Sequence, residues 1–159
     1  MNFIGKLFKK PFEIIYSFAS YTFNVKIRLN HPDAKVPQKN ESGSVGFNIF
    51  SVDEIIIPIG HRKLVSTGIS SEMSKDFYLK IAPISGLAIQ GIDIGAGVID
   101  NNYIGVIKVL VINNGHIPFH VKKGMKIAQI ILERCSDIRI DIVDRLSEIE
   151  RGYGGFGSL

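Results

Sequence analysis

Tyr103-Ile104-Gly105-Val106-Ile107-Lys108-Val109-Leu110-Val111-Ile112-Asn113-Asn114-Gly115 decides the fold class. Residues 103–112 are almost continuously apolar and rich in β-branched side chains, and the Asn-Asn-Gly step that follows signals a turn. Branching at Cβ costs rotamer freedom in a helix and packs well on a pleated surface, so the run predicts a central strand. Working outward, the same grammar repeats. Residues 25–29 alternate apolar and basic, the mark of a half-buried strand. Residues 46–50, 54–57, 63–65, 77–81, 127–132 and 138–143 read as further short strands. Breaks such as Pro58-Ile59-Gly60 and the polar loop around Pro37 and Gly43 separate them. A turn at 85–89 is the helical candidate of this body. Strands do not alternate with long helices, which argues against a doubly wound α/β sheet. Many short strands with frequent turns predict an all-β fold, a barrel or jelly roll.

The chain has 159 residues, 45% of them apolar, enough for one domain with a true core and too many for a disordered chain. Nineteen basic and 15 acidic residues give a net charge of +4. The lysines are dispersed and form no basic stripe interleaved with aromatics, so no nucleic-acid groove is expected. One cysteine, Cys135, leaves no intrachain disulfide in this sequence and fits a reducing, cytoplasmic or nuclear compartment. It has no adjacent base and reads as an inert thiol rather than a nucleophile. His116 and His120 are four apart, but Pro118 between them disfavours a helix and with it helical zinc ligation.

Residues 1–21 differ from the rest. Lys6, Lys9 and Lys10 punctuate an apolar run that Pro11 and Glu13 interrupt. The run is too short to cross a bilayer and lacks the unbroken core of a secretory signal. It is expected to be a short basic amphipathic, helical leader that packs on its own domain or on a neighbour. Weak membrane or protein contact through residues 1–20, or organelle targeting, are the alternatives. Residues 22–147 then form the β domain, and 148–159 a glycine-rich arm.

That arm carries Arg151, Gly152, Gly154, Gly155, Phe156, Gly157 and Ser158. Its glycines suit neither helix nor packed strand, but their backbone N–H groups can wrap an anion. Arginine can pair a phosphate and phenylalanine can lie on a flat ring. Three other segments share this character. In Pro83-Ile84-Ser85-Gly86, the hydroxyl and the bare backbone suit either a phosphate cradle or an ordinary turn. In Gly97-Val98-Ile99-Asp100-Asn101-Asn102-Tyr103, a hairpin with small residues can press against a planar ligand edge. There Asp100 is either an exposed turn residue or a carboxylate placed to activate water. Gln129 is polar within an apolar strand and needs a partner, either backbone or ligand phosphate.

Together and in this order, these segments resemble one family, the homotrimeric deoxyuridine triphosphatases (dUTPases). Residues 44–51 resemble its first motif and 83–88 its second. Gly97-Val98-Ile99-Asp100 with Tyr103 and Gly105 resembles the third, Gly124 with Ile127-Ala128-Gln129 the fourth, and Arg151-Gly152 with 154–158 the fifth. The overall look is closest to eukaryotic and poxvirus-type members. The resemblance implies an antiparallel, distorted jelly-roll barrel, a homotrimer with sites at subunit interfaces, and hydrolysis of dUTP to dUMP and pyrophosphate. Such a dUTP diphosphatase clears dUTP from the nucleotide pool. Gly97, Val98, Ile99 and Tyr103 of one subunit would bind uracil and deoxyribose, and Ser85, Gly86 and Gln129 of a neighbour the phosphates. The arm would close over both, with Phe156 on uracil, Arg151 on the terminal phosphate, and Gly157 and Ser158 alongside. Mg2+ would chelate the triphosphate, and Asp100 would orient the attacking water.

The chain departs from the family pattern mostly by losing charge. Asn48 stands where the first motif has the aspartate that helps order metal-bound water; Ile84 and Ile104 replace arginines, Asn102 an aspartate, and Met125-Lys126 an Asp-Arg pair. Either the lost charges were mutually compensating pairs, or the site is catalytically impaired and the fold serves as a nucleotide-binding or protein-interaction module. Retention of Ser85, Asp100, Tyr103, Gln129, Arg151 and Phe156 favours the first. A dCTP-deaminating relative would place a glutamate near the third motif, and none lies between Glu72 and Glu133.

Overall fold

A computed structural model describes residues 22–147. Eleven strands and one helical turn follow in order. They are β1 (Lys26–Leu29), β2 (Phe47–Phe50), β3 (Ile55–Ile57), β4 (Arg62–Ser66), β5 (Ile69–Glu72) and β6 (Phe77–Ala82). Then come α1 (Ser85–Ala88), β7 (Ile92–Gly95), β8 (Val98–Ile99), β9 (Lys108–Asn113), β10 (Phe119–Val121) and β11 (Lys126–Arg134). The expected all-β character holds among the described residues, and the turn at 85–89 is α1. The helical leader and the glycine arm lie outside them.

Every strand pair is antiparallel, in sheets ordered β2-β11-β6-β8, β4-β9-β7, β1-β5 and β10-β3. The two inner strands explain the pattern. β11 is flanked by β2 and β6, with Ile130 opposite Ile81 and Leu132 opposite Leu79. β9 is flanked by β4 and β7, and its Val109 and Val111 are fully buried. These side chains join Ile49, Ile57, Val65, Ile107 and Ile127 in one core. Alternate residues of a strand face one side, so an inner strand with apolar alternation must drive that side inward.

Asn113 ends β9 with no exposed surface. Its amide donates to the Ile57 and Ile117 carbonyls at 2.9 Å each, and its Oδ1 accepts from Gly115 N–H at 2.9 Å. The predicted turn is thus a buried polar knot, fully partnered as burial requires. Gly91 (φ +83°) lies against it, and a Cβ there would meet the Gly115 backbone at 2.7 Å, so no side chain fits.

Two expected strands change. The run at 103–112 begins only at Lys108. Upstream, the Ile107 N–H is taken by the Ile69 carbonyl at 2.8 Å, and the Ile107 carbonyl accepts the Thr67 hydroxyl at 2.7 Å. Those backbone groups bond to Thr67 and to the first residue of β5 rather than to a partner strand of β9. Residues 138–143 form no strand, because no described edge pairs with them. Ile138, Ile140 and Ile142 are consequently 79%, 80% and 99% exposed. β5 carries two serines, Ser70 and Ser71, both buried, so its composition hid it.

Candidate functional site

The segment that follows β6, α1, Asn48 of β2 and the start of β11 line an open cavity of about 770 Å³. Register builds it. Gln129 on β11 stands opposite Ala82 on β6 and Asn48 on β2, so the residues after β6 arrive beside both. Pro83 fixes its own φ and leads the chain from β6 into α1. The turn opens after Ile84, whose extended backbone is capped by no side chain. Ser85, Gly86, Gln129 and Asn48 all line the cavity.

Gln129 is clamped. Its Nε2 donates to the Pro83 carbonyl at 3.0 Å, and a Cβ on Gly46 would come within 2.2 Å of its Oε1. The partner that this polar strand residue needed is therefore at least partly backbone. Asn48 is buried, and its N–H and carbonyl are both paired with Gln38. The Ser85 hydroxyl has no hydrogen-bond partner among the described residues. Nothing lies within 4 Å of a Cβ built on Gly86, so internal packing does not demand glycine there.

The walls mix polar and apolar side chains and, among the described residues, are nearly free of charge. Ile84 and Met125 face the cavity beside Asn48, and Lys126 is the charged residue among its lining groups. Among the described residues no carboxylate lines it, and no group of three histidine, cysteine or acidic side chains is placed to hold a metal. Magnesium held by protein prefers carboxylate oxygen. Asn48 supplies at most one neutral amide oxygen, so this donor set does not fit a protein-held ion.

Gly97, Val98, Ile99, Asp100 and Tyr103 are not among the cavity walls. β8 is the edge strand beyond β6, with Ile99 opposite Leu79 and Val98 opposite Lys80. The Gly97 carbonyl accepts from Ile81 N–H at 2.7 Å, and a Cβ on Gly97 would sit 2.6 Å from the Ile81 carbonyl oxygen. Beyond the strand, Tyr103 N–H donates to the Asp100 carbonyl at 3.1 Å, closing a turn. The chain then crosses to β9 in another sheet, so the expected local hairpin is a bridge between sheets. The Tyr103 hydroxyl donates to the Val106 carbonyl at 3.0 Å and covers Gly105. Asp100 is exposed, and its carboxylate has no partner among the described residues. Arg151, Phe156, Gly157 and Ser158 lie outside those residues.

The displaced ionisable groups are elsewhere. Tyr78 and Glu133, opposite each other on β6 and β11, share a hydrogen bond. That bond raises the Tyr78 pKa and, with Lys80 nearby, holds the Glu133 carboxyl below its ordinary range. Asn40, which reaches the cavity from the loop before β2, was not a sequence candidate. Nothing in a polar loop marks which of its residues will face a distant strand.

A family model described as dUTPase matches residues 32–159. The deoxyuridine 5'-triphosphate nucleotidohydrolase of cowpox virus is 45% identical over 125 residues, covering 79% of this chain and 85% of the relative. The protein of the same name from Saccharomyces cerevisiae is 43% identical over 136 residues, covering 84% and 92%. Among solved structures, the Staphylococcus bacteriophage 80alpha dUTPase with dUPNHPP superposes with a TM-score of 0.81 at 20% identity, covering 87% of this chain and 99% of that one. A mutant dUTPase from phage phi11 of S. aureus, described as coordinating a structural Mg(II) ion, gives 0.72 at 18% identity, covering 79% and 99%.

Proposed function

The chain belongs to the dUTPase family, and from that premise we propose that it hydrolyses dUTP to dUMP and pyrophosphate. The observation that carries the reading is the cavity at Gln129. Its clamped amide, the unpartnered Ser85 hydroxyl and the open backbone at Gly86 converge on one space. Phosphoryl transfer asks mainly for positioning and charge stabilisation, and such preset donors supply the positioning. In this reading the phosphates lie against Ser85, Gly86 and Gln129. Uracil and deoxyribose meet the edge formed by Gly97, Val98, Ile99 and Tyr103. Asp100, whose carboxylate is free, accepts a proton from the water that attacks the α-phosphorus.

Asp100 is not a wall of the cavity in its own protomer; in this reading a neighbouring protomer of a homotrimer brings its own Asp100 to complete the site. Arg151, Phe156, Gly157 and Ser158 would close that site from the arm. Magnesium would be carried by the triphosphate as its chelate, since no carboxylate of the described residues lines the cavity. When bound, the ion neutralises phosphate charge.

Purified protein given magnesium and dUTP should release pyrophosphate, with dTTP and UTP as poor substrates. The neutral wall of Asn48, Ile84 and Met125 favours a second reading, nucleotide binding without turnover. Binding of a non-hydrolysable dUTP analogue with no pyrophosphate above a blank would select it.

A further inference from the structure

The charge of the cavity is concentrated at one amine. Lys126 opens β11, and the register against β2 shifts between Lys126 and Ala128. Such a bulge re-aims the residue at its start, and Lys126 is turned to the cavity, half-buried. Its Nζ lies 3.4 Å from Asn40 Oδ1, a neutral partner. Three other lysines of the described residues are matched to carboxylates, while Lys35 donates to the Gly124 carbonyl. Lys26 meets Glu72 at 2.6 Å, Lys80 meets Glu133 at 3.5 Å, and Lys123 meets Asp33 at 3.2 Å. No carboxylate meets Lys126 among the described residues, and none lines the space it faces. An ammonium whose partner is a neutral amide keeps its charge available for a charge-assisted contact with an incoming anion.

Resting on the dUTPase reading, we infer that Lys126 is the cation of the cavity wall that holds the polyphosphate chain beside the arm's Arg151, with Asn40 parking its amine until the ligand arrives. The neutral side chains Asn48, Ser85 and Gln129 orient the phosphates, and Lys126 supplies the attraction. The site therefore discriminates by the number of phosphates, through a residue on the same protomer as Ser85 and Gln129.

The test measures, by calorimetry, binding of dUMP, a non-hydrolysable dUTP analogue with magnesium, and inorganic tripolyphosphate. The full chain is compared with Lys126→Met and Lys126→Arg. Lys126→Met should weaken the triphosphate analogue and tripolyphosphate by about 10- to 100-fold, the size of a lost charge-assisted contact, and dUMP far less. Lys126→Arg should stay within a few-fold of the parent, and an unchanged circular dichroism spectrum of Lys126→Met excludes a folding defect. The Lys126→Met variant should raise KM for dUTP more than it lowers kcat. Equal losses for dUMP and triphosphate, or no loss at all, overturn the role of Lys126 while leaving dUTP hydrolysis standing. A parent protein that binds tripolyphosphate through Lys126 yet releases no pyrophosphate from dUTP overturns the hydrolysis and keeps the cation. A parent that binds none of the three ligands overturns both.

Discussion

The Gln129 cavity and the Asp100 turn are held in opposite ways. The cavity is set by three adjacent strands, β2, β11 and β6, and its central amide is fixed between Pro83 and Gly46. The Asp100 turn hangs from a two-residue edge strand, and its carboxylate is exposed and unpartnered among the described residues. The difference follows from what each must do. Donors for a polyanion act best when they need no reorganisation. A carboxylate that manages a water must keep a lone pair open toward it, and the exposed Asp100 carboxylate leaves its acceptor sites open among the described residues.

The sharpest way to break this comparison is Asp100→Asn. It keeps the shape and removes the base, so kcat should fall by about 10²- to 10⁴-fold, measured as pyrophosphate release, while analogue binding survives. Unchanged turnover would remove Asp100 from the chemistry. Next comes the cavity itself. Gly46→Ala drives a methyl into Gln129 Oε1, and overpacking of this kind costs about 1–3 kcal/mol. A lowered thermal midpoint together with a raised KM for dUTP is expected; a raised KM without the thermal change would show that the clamp can yield.

Tyr103→Phe should do less. It deletes the bond to the Val106 carbonyl, worth about 0.5–1.5 kcal/mol, while the ring stays over Gly105. Urea denaturation reads that loss, and the UTP-to-dUTP rate ratio reads whether the ring still crowds the sugar. The smallest effect belongs to Glu133, which is in neither wall. Its folded pKa is lowered, so the stability it contributes is present above its unfolded pKa and is lost as pH falls through the folded value. Glu133→Gln should flatten that acid limb in pH-dependent melting and leave kcat/KM for dUTP unchanged.

Much of this was legible in the chain. β11 could be read because alternation of Ile127, Gln129 and Ile131 leaves one polar residue conspicuous in an apolar strand. The Ser85-Gly86 turn could be read because Pro83, Ser85 and Gly86 are turn formers, though the residues alone did not separate a phosphate cradle from an ordinary turn. The clamp on Gln129 could not. It depends on register, which brings Gly46 and Pro83 to one side chain from distant positions. β5 was hidden because Ser70 and Ser71 imitate a loop, though both are buried. Residues 138–143 erred the other way, since a strand pattern is only an offer until another strand accepts it.

Ile138, Ile140 and Ile142 stand in a row on backbone that pairs with nothing described. An uncovered apolar row beside free amides is adhesive toward any unpaired strand it meets. Shelf life in dilute solution is therefore a question of company as well as of heat. Ile140→Lys would turn a sticky ribbon into a soluble one, and would show what this chain otherwise sticks to.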